Sequence, residues 1–169
     1  TDEAAVTAWT DDVAVQAGGL DIVFNAVGPR AAVAGYALPS LSLTLDQFSL
    51  PLHLIVCSQF LTARAAARHM LPKGRGSIVF LSASLTGHFI PFMAGITAAC
   101  GAVEALSRTM AAEFGPAGVR VNGVRAGGMT MTRTIVETSA RMAVTVGAHV
   151  DGGGHSVESP VMGRPVRVE

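Results

Sequence analysis

Residues 101–124 run GAVEALSRTMAAEFGPAGVRVNGV. Val103, Leu106, Met110 and Phe114 recur at helical spacing, which predicts a helix with one apolar face from about Gly95 to Phe114. Gly115-Pro116-Ala117-Gly118 breaks it, because proline lacks an N–H and glycine is free of a Cβ. Val119 to Val124 (VRVNGV) then reads as a strand. A helix, a short break and a strand together form the repeating unit of a parallel α/β sheet.

The same alternation extends outward. Upstream, Ser77 to Ser82 (SIVFLS) is a strand, followed by a loop with Gly87 and Pro91. Before it, a helical pattern runs from Phe48 to Leu71, with Phe60, Arg64 and Ala67 on one flank, and Pro72-Lys73-Gly74-Arg75-Gly76 stops it. Residues 28–46 form a long irregular connection. Leu20 to Phe24 (LDIVF) reads as a buried strand. Thr1-Asp2-Glu3 resembles a helix cap, and Val6, Trp9 and Val13 follow at helical spacing up to Gly18-Gly19. Downstream, Thr132 to about Val146 is predicted to be helical, and residues 147–169, with Gly152-Gly153-Gly154, are expected to be a flexible C-terminal segment. The expected fold class is α/β: a partial, Rossmann-like, doubly wound parallel sheet with flanking helices, forming a single domain over 1–169. Three strands make a thin sheet with an open edge, which is a hint that strands are missing.

Half of the 169 residues are hydrophobic and 14% are charged, enough for a substantial core. Lys+Arg and Asp+Glu are both 12, so no net charge draws the chain to nucleic acid or to an anionic membrane. No apolar run approaches the ~20 residues of a membrane span, and the opening residues do not look like a signal peptide. Cys57 and Cys100 do not make a disulfide framework, and a cytoplasmic setting is expected.

Three segments resemble the short-chain dehydrogenase/reductase family. Leu20-Asp21-Ile22-Val23-Phe24-Asn25-Ala26-Val27-Gly28 is similar to its fourth strand and Asn-Asn-Ala-Gly turn, with Phe24 at the first Asn. Phe60 to Met70 (FLTARAAARHM) and Gly74 to Val79 are similar to its interface helix and fifth strand. Gly101 to Arg108, Ala111 to Pro116 and Val119 to Val124 resemble the next helix and the sixth strand. The resemblance covers roughly residues 1–132, in order and in register. It implies NAD or NADP as cofactor and carbonyl–alcohol redox as chemistry. It also implies a Gly-rich phosphate-binding turn and a seventh strand that these 169 residues do not contain, so the chain looks truncated at both ends. Gly152-Gly153-Gly154 lacks a preceding strand and reads as a linker, not a phosphate loop.

In the family, a tyrosine exchanges a proton with substrate and a lysine four residues later lowers its pKa. Bringing a phenol from ~10 to neutrality takes ~3 units, or about 4 kcal/mol, and a neighbouring cation supplies much of it. Alignment on Gly101-Ala102-Val103-Glu104 puts Ile96 at the tyrosine and Cys100 at the lysine. Neither does that chemistry, and the single tyrosine, Tyr36, is expected in a distant loop. The family's serine position is Ala83. A one-residue slip brings Ser82 or Ser84 there, so these two are the candidate catalytic residues; the alternative is serines satisfying a strand end. The family's helix asparagine falls at Ile55. Candidate cofactor-binding residues are Asn25, Ala26 and Gly28, then Ala126, Gly127 and Gly128 in place of the Pro-Gly turn after the sixth strand; Thr130 and Thr132 flank the threonine position, Met131. Asn25 either lines the cofactor groove or ties strands together. Gly127 either permits close cofactor approach or is an ordinary loop glycine. His88 is a substitute acid or an exposed loop histidine, and Cys100 a nucleophile or a small buried hydrophobe. His149 and His155 lack metal-ligand partners at useful spacing, so no metal site is expected.

Two functions follow. One is an oxidoreductase of this family, inactive or severely impaired. The other is a non-catalytic packing module that forms a homo-oligomer through the helices near 48–71 and 95–114. Small residues such as Ala98, Ala99, Gly101 and Ala102 would allow close helix approach there.

Overall fold

The Asp2 carboxylate accepts a hydrogen bond from the Ala5 amide at 3.0 Å and starts α1 (Glu3–Gln16). The structure is a computed structural model, and it describes residues 2–88, 90–128 and 131–147. β1 (Ile22–Asn25) comes next, then one continuous helical stretch in three parts: α2 (Leu45–Pro51), a π-helical segment (Leu52–Cys57) and α3 (Ser58–Met70). β2 (Gly76–Ala83), α4 (Ala94–Phe114), β3 (Val119–Ala126) and α5 (Arg133–Thr145) complete the order. The helix–strand alternation is the expected one, with bounds shifted by a few residues. The C-terminal segment, from residue 148 on, lies outside the described residues, as do Thr130, His149 and His155.

Local chemistry explains the breaks. A capping box opens α2: the Gln47 amide donates to the Thr44 hydroxyl, and the Thr44 amide donates to the Gln47 side chain. Pro51 removes one donor from the ladder, and the wider π turn follows at once. By length and composition the whole helix, Leu45–Lys73, could cross a membrane, a possibility the sequence analysis had dismissed. In this fold it is a core helix that buries Ile55, Ala63, Ala66, Ala67 and Met70. Gly118 closes the break after α4 in the left-handed region, and a Cβ there would lie 2.1 Å from the Gly74 carbonyl oxygen.

The three strands are parallel in the order β1-β2-β3. Val23, Ile78 and Val121 form one row across the sheet, and Asn25, Phe80 and Gly123 the next. Ile78 and Phe80 are fully buried against Ala66 and Met70 of α3 and Ala99 and Val103 of α4, in one cluster. The other face of the sheet carries Ile22 and Phe24, 71% and 59% exposed, together with Val124. The expectation of a fully buried first strand is therefore corrected. β1 lies at an edge, and no described helix covers one of its faces. The helix expected from Val6, Trp9 and Val13 is α1, although Trp9 is 63% exposed and its buried residues are Thr10 and Ala14.

α5 fastens the long connection after β1. The Arg141 Nε donates to the Tyr36 carbonyl at 3.2 Å, and the Thr145 hydroxyl donates to the Ala37 carbonyl at 2.6 Å. Ala37 and Phe92 both have positive φ, and the Ala37 amide donates to the Phe92 carbonyl at 2.9 Å.

Candidate functional site

In a parallel α/β sheet, ligands bind beyond the C-terminal ends of the strands. Here that edge carries Asn25 at the end of β1, Ser84 just past β2, and Ala126-Gly127-Gly128 at and past the end of β3. Two of these segments are joined directly, since the Ser84 amide donates to the Ala126 carbonyl at 2.9 Å. Ala26, Gly28, Gly127 and Gly128 are exposed, and a Cβ at Gly28 or Gly127 would meet nothing within 4 Å. Asn25 is buried, and its Nδ2 has no hydrogen-bond partner among the described residues. A buried amide left in that state is costly unless water or a ligand completes it.

The two slots that would carry acid–base chemistry are filled by packing. Ile96 and Cys100 are 8% and 2% exposed and belong to the central cluster with Phe80 and Val103. They share the inward stripe of α4 because 96, 100, 103 and 107 repeat at helical spacing. The Cys100 sulfur accepts from the Ala83 amide at 3.5 Å. Ile55, at the position of the family's helix asparagine, is buried in the same cluster. Tyr36 is not remote, as had been expected: the connection after β1 folds its side chain into this cluster, within reach of Cys100. Burial first, and then the Cys100 thiol, push the Tyr36 phenol above its ordinary range. A catalytic phenol needs the opposite shift.

The two candidate serines are in different situations. The buried Ser82 hydroxyl donates to Glu104 Oε1 at 3.1 Å, inside the interface between sheet and α4. Ser84 is half-buried at the strand end, and His88 Nδ1–H donates to its carbonyl oxygen. The histidine expected to be exposed is thus half-buried and tied to the backbone.

Glu104, which its sequence context marks only as part of a helix, is a polar centre in the structure. Its carboxylate accepts from Ser82, from the Thr86 hydroxyl at 2.7 Å, and from Arg125 Nη2 at 2.7 Å. Burial raises its pKa, but the hydrogen bonds from Arg125, Thr86 and Ser82 and the Arg125 charge outweigh that, so the carboxyl lies below its ordinary value. The signal was present: a lone acidic residue on the buried stripe of a small-residue helix needs partners.

A nicotinamide dinucleotide fits these residues only in part. The open glycines and the orphaned Asn25 amide suit one wall of a nucleotide groove. No cation occupies the lysine slot, which is Cys100. Among the described residues, no group of three or more His, Cys, Asp or Glu side chains is placed to hold a metal.

Comparison with known proteins agrees with this architecture. The family described as enoyl-(acyl carrier protein) reductase matches residues 1–153. The inactive 2-(S)-hydroxypropyl-CoM dehydrogenase 2 of Xanthobacter autotrophicus is 37% identical over 135 residues, covering 78% of this chain and 55% of that protein. The structure of levodione reductase superposes with a TM-score of 0.75 at 26% identity, covering 83% of this chain and 53% of the other. NAD+-bound xylitol dehydrogenase superposes with a TM-score of 0.69 at 29% identity, covering 75% and 47%. The chain thus spans about half the length of these relatives.

Proposed function

The chain belongs to the short-chain dehydrogenase/reductase family, and we propose that it is a catalytically silent member of that oxidoreductase family. The parent activity is hydride transfer between NAD or NADP and a carbonyl or alcohol. One observation carries the proposal: Ile96 and Cys100 fill the tyrosine and lysine slots from within the core. Neither slot therefore holds a proton donor with a supporting cation. The similar Xanthobacter protein is itself named as inactive, which supports the same reading. The two free thiols suit a reducing, cytoplasmic setting.

The test is a titration of the 169-residue protein with NADH and NADPH, followed by nicotinamide fluorescence, with hydride transfer assayed on a panel of ketones and alcohols. The expected result is no saturable binding below roughly millimolar and no turnover. A micromolar constant together with turnover lost in Ser84→Ala would overturn the proposal.

A second reading, homo-oligomer formation through the two long helices, has its own support. α4 turns Ala98 and Ala105 outward with Ala102 beside them, while Ala99 is spent on the core. Phe60 of α3 is partly exposed, with the Arg64 guanidinium 5.2 Å from its ring centroid. Small outward residues permit close approach of a partner helix. Light scattering at micromolar concentration is expected to show a dimer or larger species; a clean monomer removes this reading.

A further inference from the structure

We propose that Glu104 is a positioning residue whose carboxylate clamps together three chain segments bordering the strand-end site. Its donors come from separate stretches: Ser82 from the end of β2, Thr86 from the loop that follows, and Arg125 from the end of β3. Each lies one or two residues from a site element. Ser82 and Thr86 bracket Ser84, Thr86 lies two residues before His88, and Arg125 precedes Ala126. The Ser84–Ala126 backbone bond joins the same segments at the rim.

The geometry requires an anion. A carboxylate offers about four acceptor positions and no donor, and here three donors converge on it. An amide of equal size would turn an NH2 toward one of those donors and lose the charge-assisted bonds. The Glu104 side chain is only 11% exposed, whereas Arg125 is 55% exposed and closes the clamp from the solvent side. A cavity of about 230 Å³ lies alongside, bordered by Arg108 and Gly123, so the clamp is not merely filling packed volume. This inference does not depend on whether the chain turns over substrate.

The test uses the full 169-residue chain and NMR. His88 reports on the clamped loop through its bond to Ser84. His69, paired with Asp11 at 2.6 Å between α3 and α1, is the remote control. In Glu104→Gln, the His88 ring signals and the Ser84 and Ala126 amides are expected to shift, and exchange of those amides to accelerate by ~10-fold or more, with His69 unmoved. Arg125→Met, a change at an exposed side chain, is expected to give the same local pattern more weakly. It keeps the test open if Glu104→Gln fails to fold. Arg125→Met added to Glu104→Gln is expected to change little further. Unmoved His88, Ser84 and Ala126 signals in the folded variants would overturn the proposal. So would a uniform loss of protection that includes the α1–α3 contact.

Discussion

The Ala83 amide donates to the Cys100 sulfur across 3.5 Å, so the family's serine position and its lysine position touch inside the core of this chain. Ile96 and Tyr36 belong to the same buried cluster as Cys100.

Restoring the family's residues is expected not to restore the chemistry. In Ile96→Tyr/Cys100→Lys, the ammonium enters a site with almost no solvent contact, where the carboxylate one turn along α4, Glu104, is already held by Ser82, Thr86 and Arg125. The double variant is expected to lose about 3 kcal/mol or more of stability in urea unfolding and to show no turnover. A folded, active double variant would show that the slots open readily to solvent.

Acid is expected to loosen the protein through Glu104. Its folded-state pKa lies below the unfolded value, so its contribution is present above the ordinary carboxyl range of ~4.3 and is lost as the pH falls through the folded value. The charged groups around it are Arg125 across the clamp and Arg108 beside the cavity. Unfolding midpoints measured from pH 7 down to about 3 should fall less steeply in Glu104→Gln than in the parent. Parallel curves would rule out Glu104 as the source.

Gly118→Ala is expected to destabilise the fold strongly. The new methyl would meet the Gly74 carbonyl oxygen at 2.1 Å, in a backbone conformation that disfavours a side chain. A loss of about 2 kcal/mol or more is expected in thermal or urea unfolding, against near neutrality for Gly115→Ala, whose Cβ meets nothing within 4 Å.

Phe24→Lys is expected to improve solubility at little cost in stability. Phe24 lies on the uncovered face of an edge strand beside Ile22, and exposed apolar edges recruit other chains. Light scattering against concentration should show less association than in the parent, with the unfolding midpoint within about 0.5 kcal/mol. Unchanged association would place the sticky surface elsewhere.

The helix–strand order was legible because it is written locally. Phe114 and the Gly-Pro-Ala-Gly break mark the end of α4 without reference to anything distant. Ile96 and Cys100 fall on one inward face of that same helix, so their burial follows from local spacing. Burial on β1 was not legible, because Ile22 and Phe24 look like core residues whatever covers them, and coverage is set by other elements. Tyr36 was missed for a related reason: a long irregular connection gives no period from which to infer where its side chain lands. Glu104 stood on a predicted helix, but its three donors come from segments about twenty residues away on either side, a convergence that spacing alone does not reveal.

The apolar filling of the two slots has a consequence for the chain's history. A tyrosine or a lysine arriving alone at position 96 or 100 would gain no chemistry and would have to force open a closed interior. On the proposed reading, a return toward activity would first pass through a less stable molecule. Selection at these two positions is left to act on shape and volume.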